Sequence, residues 1–223
     1  MKEKITKGIG LLVVAVLTFA ICYSQFLYSF DKMVTDRIYQ KPSVTDSAIK
    51  IIAIDEKTIQ AYGDISTWSR EIPAQLVERL NADPENAPAV IGFDVMYVTE
   101  KEAEGDERFA ESCAAAGNVV TAVNVVTEKK LSVEKDGSLS LDHMHVKLVE
   151  YPYPSLKEAA DYGFANTTQD RDGYIRFGLW HMETGEEALL SLSARVYQRY
   201  CEQMGMAVRQ PKLISGNAFG FTF

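Results

Sequence analysis

The sequence predicts an α/β domain, a largely parallel sheet flanked by helices, preceded by one N-terminal transmembrane helix. Three observations predict it. Gly8 to Phe30 (GIGLLVVAVLTFAICYSQFLYSF) carries no charged side chain. Beyond it, short β-branched runs alternate with stretches whose apolar residues recur at helical spacing, the pattern of strand–helix–strand crossovers in a parallel sheet. Residues 31–223 are mixed, water-compatible sequence, long enough for one domain with its own core.

As a helix, Gly8–Phe30 would be roughly 34 Å long at 1.5 Å per residue, enough to cross a hydrocarbon core of about 30 Å. Three readings compete for it. A cleaved signal peptide has an apolar core of only about 7–15 residues, and this run continues through bulky Phe26, Leu27, Tyr28 and Phe30. A lipoprotein would use Cys22, but Ile21 stands where a small residue is needed. An uncleaved signal anchor fits best, with residues 1–7 as a cytoplasmic lead, 8–30 as the span and 31–223 outside. Lys2, Lys4 and Lys7 before the span are matched by Lys32, Arg37 and Lys41 after it. The positive-inside rule is therefore tied, and the short basic lead decides the orientation.

The formal net charge is −8, and residues 31–223 hold 20 basic against 30 acidic residues. No Lys/Arg cluster stands out, which excludes nucleic acid and anionic lipid surfaces as partners of the folded part. Cys22, Cys113 and Cys201 make neither a disulfide framework nor a CxxC metal motif. His143 and His145 lack a third nearby ligand and His181 stands alone, so zinc is not expected. No cofactor is implied.

The elements follow in order. Asp31–Gln40 continues the membrane helix outward until Lys41-Pro42-Ser43 stops it. Ile49–Ile54 (IKIIAI) reads as a buried strand closed by Asp55-Glu56. A turn surrounds Gly63. Ser69 is a helix N-cap, Pro73 sits in the first turn, and Ile72, Leu76, Val77 and Leu80 repeat on one face to Asn81. Ala89–Val95 is a second strand. Asp106 caps a helix carrying Phe109 and Cys113, which Gly117 ends. Asn118–Val126 is a third strand. Residues 128–148 form an insertion with a hairpin turn at Asp136-Gly137. Ser155–Ala160 is a short helix. The turn Asp170-Arg171-Asp172-Gly173 leads into a strand from Gly173 to Trp180. The last helix runs from Glu187 to Met204, with Leu189, Leu192, Val196 and Tyr200 on one face and Gly205 after it.

The candidate chemistry lies where strands end. Asp55 and Glu56 follow the first strand and Asp94 falls within the second, near the carboxyl ends where open α/β sheets bind ligands. Such acids can hold a cation or act as an acid/base pair; they can equally cap helices or pair with Arg70. No nucleophile or oxyanion-hole motif accompanies them, so no catalytic residue is assigned. Arg70 and Arg176 are the positive groups suited to an anion. The candidate ligand-binding residues are thus Asp55, Glu56, Arg70, Asp94 and Arg176.

The order of motifs resembles the CHASE2 family of extracytoplasmic sensor domains. The resemblance rests on the apolar lead, Asp36-Arg37, Ile51-Ile52-Ala53-Ile54-Asp55-Glu56, Trp68-Ser69-Arg70 and Ile91-Gly92-Phe93-Asp94. It continues through Asp106, Gly117-Asn118-Val119-Val120, Tyr162-Gly163-Phe164-Ala165-Asn166, Asp170-Arg171-Asp172-Gly173, Arg176 and Leu190-Ser191-Leu192. It implies a non-enzymatic sensor in the bacterial cell membrane that detects an unknown extracytoplasmic ligand. It also implies a homodimer and a cytoplasmic adenylate or guanylate cyclase, histidine kinase or other kinase module outside residues 1–223. Family domains continue into further strands and spans, so a C-terminal truncation of the domain is expected. Two other readings stay open: a membrane-tethered metal-dependent hydrolase using Asp55, Glu56 and Asp94, and a non-enzymatic envelope adaptor.

Overall fold

A computed structural model describes residues 2–23, 28–39, 46–133, 139–170, 172–176, 178–185, 187–215 and 218–220. The chain divides into two compact units, Met1–Ile54 and Asp55–Phe223.

The first unit holds α1 (Lys2–Tyr23) and α2 (Tyr28–Tyr39). Residues 24–27, inside the expected span from Gly8 to Phe30, lie outside the described residues. From Gly8 to Tyr23, α1 covers about 24 Å, less than a hydrocarbon core of about 30 Å. Among the described residues no helix is long and apolar enough to cross a membrane. The helix expected beyond Asp31 is present in α2, with Asp31 in its first turn and Arg37 in its last, as the helix dipole favours. The stop at Lys41-Pro42-Ser43 lies outside the described residues. Ile49–Ile54 is not the expected buried strand: Ile51 is 85% exposed, and the run takes no ladder partner among the described residues. β-branched composition fits a pleated surface but does not make one without a neighbour to pair with.

The second unit opens with α3 (Glu56–Tyr62), where the sequence predicts only a strand end and a turn. Asp55 starts it by accepting the Thr58 N–H at 3.0 Å, and Gly63, at φ 82°, ends it. A 3-10 turn (Ile65–Thr67) leads to α4 (Glu71–Leu80). Ser69 Oγ accepts the Glu71 N–H at 3.1 Å, although Arg70 occupies the cap position itself. Next come β1 (Ile91–Met96) and α5 (Ala103–Ala116), which Gly117 ends in the left-handed region as expected. Asp106 lies inside α5 rather than ahead of it. Its Oδ2 reaches back to the N–H groups of Lys101 and Glu102 at 2.6 and 3.0 Å, satisfying donors that the helix start leaves open.

β2 (Val119–Val133) is the centre of the main sheet. Its first part runs parallel to β1 on one side and to β4 (Asp161–Phe164) on the other, with Ile91 opposite Val119 and Val120 opposite Asp161. From Asn124 it pairs antiparallel with β3 (Leu139–Glu150). The insertion is thus a long hairpin on a parallel core; its Asp136-Gly137 turn lies outside the described residues. α6 (Pro154–Ala159) then leads directly into β4.

On one face, Phe93, Tyr97 and Phe109 meet edge to face, with centroids 5.0–6.0 Å apart, among Val77, Tyr153 and Leu156. On the other, Gly92 lets α7 (Leu192–Gln203) approach: a Cβ there would sit 3.1 Å from Val196 Cγ2. Successive strand residues point to opposite faces, so β1 serves helices on both sides.

Two expectations fail near the C-terminus. Gly173–Trp180 forms no strand among the described residues; β5 (His181–Glu183) begins only after it and pairs with β6 (Ala188–Leu190). The helix expected from Glu187 starts at Leu192, because Leu189 is on β6 and the Ser191 hydroxyl caps the Ala194 N–H at 3.3 Å. β7 (Lys212–Ser215) and β8 (Ala218–Gly220) form a separate hairpin. Cys113 and Cys201 are both buried and free.

The start of α7 presses on β4. A Cβ at Gly163 would lie 2.8 Å from Leu192 Cα and 2.9 Å from the Ser191 carbonyl carbon, both backbone atoms. Gly163→Ala is therefore expected to destabilise the fold by about 1–3 kcal/mol. A lower urea midpoint at unchanged slope would show it.

Candidate functional site

A cavity of about 520 Å³ lies between the end of α5, α6, β4, the β5–β6 hairpin and the first turns of α7. It sits at the amino ends of β2 and β4, where Val119 and Asp161 are the first strand residues. The sequence had directed attention to the opposite, carboxyl ends.

Asp161 is its anchor. Oδ1 accepts from Arg195 Nη2 at 2.7 Å, and Oδ2 lies 2.8 Å from Arg199 Nε. One helical turn separates these arginines on α7, so both reach the same carboxylate. Arg199 is otherwise engaged: Nη2 donates to the Gly117 carbonyl at 2.7 Å and Nη1 to Glu202 Oε2 at 3.0 Å. Arg195 donates through Nη1 to Gln198 at 3.0 Å, while its Nε is buried with no hydrogen-bond partner.

Glu187 and Tyr162 add an acidic and an aromatic side chain to the lining. Glu187 Oε1 accepts the Tyr151 hydroxyl at 2.9 Å and that of Tyr162 at 3.4 Å. The two rings meet edge to face at 5.2 Å, and Lys157 Nζ stands 3.5 Å over the Tyr151 ring. Burial pushes the Tyr162 hydroxyl above its ordinary pKa, and the neighbouring Glu187 carboxylate pushes it further. Tyr162 thus stays a neutral donor to Glu187.

The residues singled out from sequence lie elsewhere, since none lines the cavity. Asp55 is the α3 cap, and hydrogen bonds from the Thr58 N–H and hydroxyl hold its carboxyl below the ordinary range. Glu56, in the first turn of α3, accepts from Gln60 Nε2 at 3.3 Å. Asp94 is exposed on β1. Arg70 belongs to a buried brace: its N–H donates to Glu102 Oε1 at 2.6 Å, its Nε is 3.5 Å from Asp106 Oδ1, and its guanidinium lies 4.6 Å over the Tyr97 ring. Burial works against the Glu102 charge, yet hydrogen bonds from Ser69 and the Arg70 N–H hold its pKa below the ordinary value. Arg176 Nη1 reaches Asp170 and Asp172, each at 2.8 Å, closing the loop around Gly173. Among the described residues no three His, Cys, Asp or Glu side chains gather to hold a metal ion, Asp55, Glu56 and Asp94 included.

Lys157, Asp161, Glu187, Arg195 and Arg199 were not picked out from sequence. One signal was available. Arg195 and Arg199 stand four apart on a helix whose apolar face was recognised and whose charged face was not. The partner Asp161, in a different element, carries no local signature.

A family model described as the CHASE2 domain matches residues 10–220. No curated protein and no solved structure matches the chain. CHASE2 is a family of extracellular sensor domains of signalling receptors, not a catalytic one. The match runs through nearly the whole chain, and the structure beneath it is a mixed α/β fold whose partly parallel sheet is flanked by helices: this chain belongs to the CHASE2 domain family.

Proposed function

We propose that the chain is the membrane-anchored, extracytoplasmic input region of a bacterial signalling receptor. The cavity beside Asp161 takes the signal ligand, and a cyclase or kinase module outside these residues supplies the cytoplasmic output. The observation that carries the reading is the surface of α1. Ile9, Leu11, Leu12, Val13, Val14, Val16, Leu17, Phe19 and Ile21 are all exposed, and together they occupy the whole circumference of the helix. A helix apolar all round belongs in an apolar medium. In sequence the uncharged run extends from Gly8 to Phe30, 23 residues, within the length range of a spanning segment. Signalling then requires a ligand that binds two conformations of the domain unequally. Homodimers paired along residues 8–40 would give the output module its symmetric partner.

The test is topology. In a Cys22→Ser background, Glu104→Cys places a thiol at an exposed position of α5. A membrane-impermeant maleimide should label it in intact cells. Cys113 and Cys201 stay silent in the folded protein because both are buried, and burial pushes the Cys113 thiol up to about 12. Labelling that appears only after permeabilisation would place the domain inside and end the proposal.

A further inference from the structure

We propose that the cavity beside Asp161 binds a small zwitterion of the amino-acid class, its carboxylate on Arg195 and its ammonium on Glu187. This deepens the sensor reading above by naming the ligand chemistry, and rests on it for its biological meaning. Lys157, Glu158, Asp161, Glu187, Arg195 and Arg199 line the cavity, three groups of each sign. A lining charged in both senses and balanced overall is poorly matched to an apolar ligand, a simple anion or a simple cation. It suits a molecule that carries both charges.

The two ends of the site are distinct. Arg199 is occupied by Asp161, Gly117 and Glu202, so Arg195 is the donor left for a ligand. Its two hydrogen bonds, to Asp161 and Gln198, take one N–H from each terminal nitrogen, and each terminal nitrogen carries a second N–H. A carboxylate can accept from both of these in a forked, charge-assisted pair. At the other end, Glu187 receives both tyrosine hydroxyls on Oε1, and a carboxylate has acceptor capacity beyond two bonds. Ammonium is the complement it lacks. The volume of about 520 Å³ falls within the ordinary range for small-ligand pockets and leaves room for a side chain on the ligand.

The experiment uses the full chain in detergent, with the common L-amino acids as probes and acetate and ethylamine as single-charge controls. Melting temperature and calorimetric titration are the readouts. At least one amino acid is expected to raise the melting temperature saturably, with neither control doing so. Arg195→Lys keeps a cation facing Asp161 but removes the guanidinium fork, and should weaken binding about tenfold to a hundredfold. Glu187→Gln, at an exposed position, should weaken it similarly while the unliganded melting curve is retained; it decides the matter if Arg195→Lys does not fold. Binding by no amino acid, equal binding by both variants, or an equal shift with acetate or ethylamine would overturn the proposal. Failure here with outside labelling intact removes the ligand class and leaves the sensor. Inside labelling with binding intact does the reverse.

Discussion

Phe109→Ala is expected to lower the unfolding free energy of the Asp55–Phe223 unit by about 3–5 kcal/mol. Phe109 is fully buried on α5, its ring 5.6 Å from that of Phe93 and 5.0 Å from that of Tyr97. Truncation removes two edge-to-face contacts and leaves a ring-sized void. The walls of that void are a strand (Phe93), the loop after it (Tyr97) and α4 (Val77), which cannot all close on it. Domains of this size are stable by about 5–15 kcal/mol, so the loss is a large share of the total. Urea denaturation followed by tryptophan fluorescence reads it as a lower midpoint, Trp68 and Trp180 both belonging to this unit. A loss below about 1 kcal/mol would mean that α5 is not seated on β1, because no well-packed phenylalanine is removed so cheaply.

Asp106→Ala is the second large effect, expected at about 3–5 kcal/mol by a different mechanism. The Asp106 side chain is only 6% exposed and that of Arg70 16%, so neither charge has ready access to water. Their facing atoms, Arg70 Nε and Asp106 Oδ1, stand 3.5 Å apart, a contact of charge rather than a hydrogen bond. Oδ2 meanwhile accepts the Lys101 and Glu102 N–H groups. Alanine would leave two N–H donors without their acceptor and a buried guanidinium without the Asp106 charge. Adding Arg70→Leu should recover part of the loss, so the double variant should cost less than the sum of the two single ones. Strict additivity would show that the pair is not coupled.

These two residues also show what was legible in advance. Phe109 and Gly117 announce α5 through helical spacing and a left-handed terminator, both local properties of the chain. Asp106 was recognised as a residue for a helix start, and it does serve one, but from inside the helix. Its pairing with Arg70 depends on two distant segments meeting, which no local pattern records. The same limit explains the acids at Asp55, Glu56 and Asp94. Their grouping presupposes a strand at Ile49–Ile54, and in the structure that run is exposed and takes no ladder partner among the described residues. The spacing of Leu189 fits a helical face, but pairing with Met182 makes it a strand residue instead.

The apolar lead, α4 and α5 with their stop signals, the alternation of strand and helix, and the ordered motifs of the CHASE2 family are all written in local sequence. Each depends on residues close together along the chain, where periodicity, caps and turn geometry act directly. Long-range packing sets which β-branched runs find ladder partners, where α7 begins, and that Asp161, Glu187 and Arg195 line one cavity at the amino ends of the strands. A hydrogen-bonded ladder and a charged cavity both require partners distant in sequence. Their energies exist only once the chain has brought those partners together.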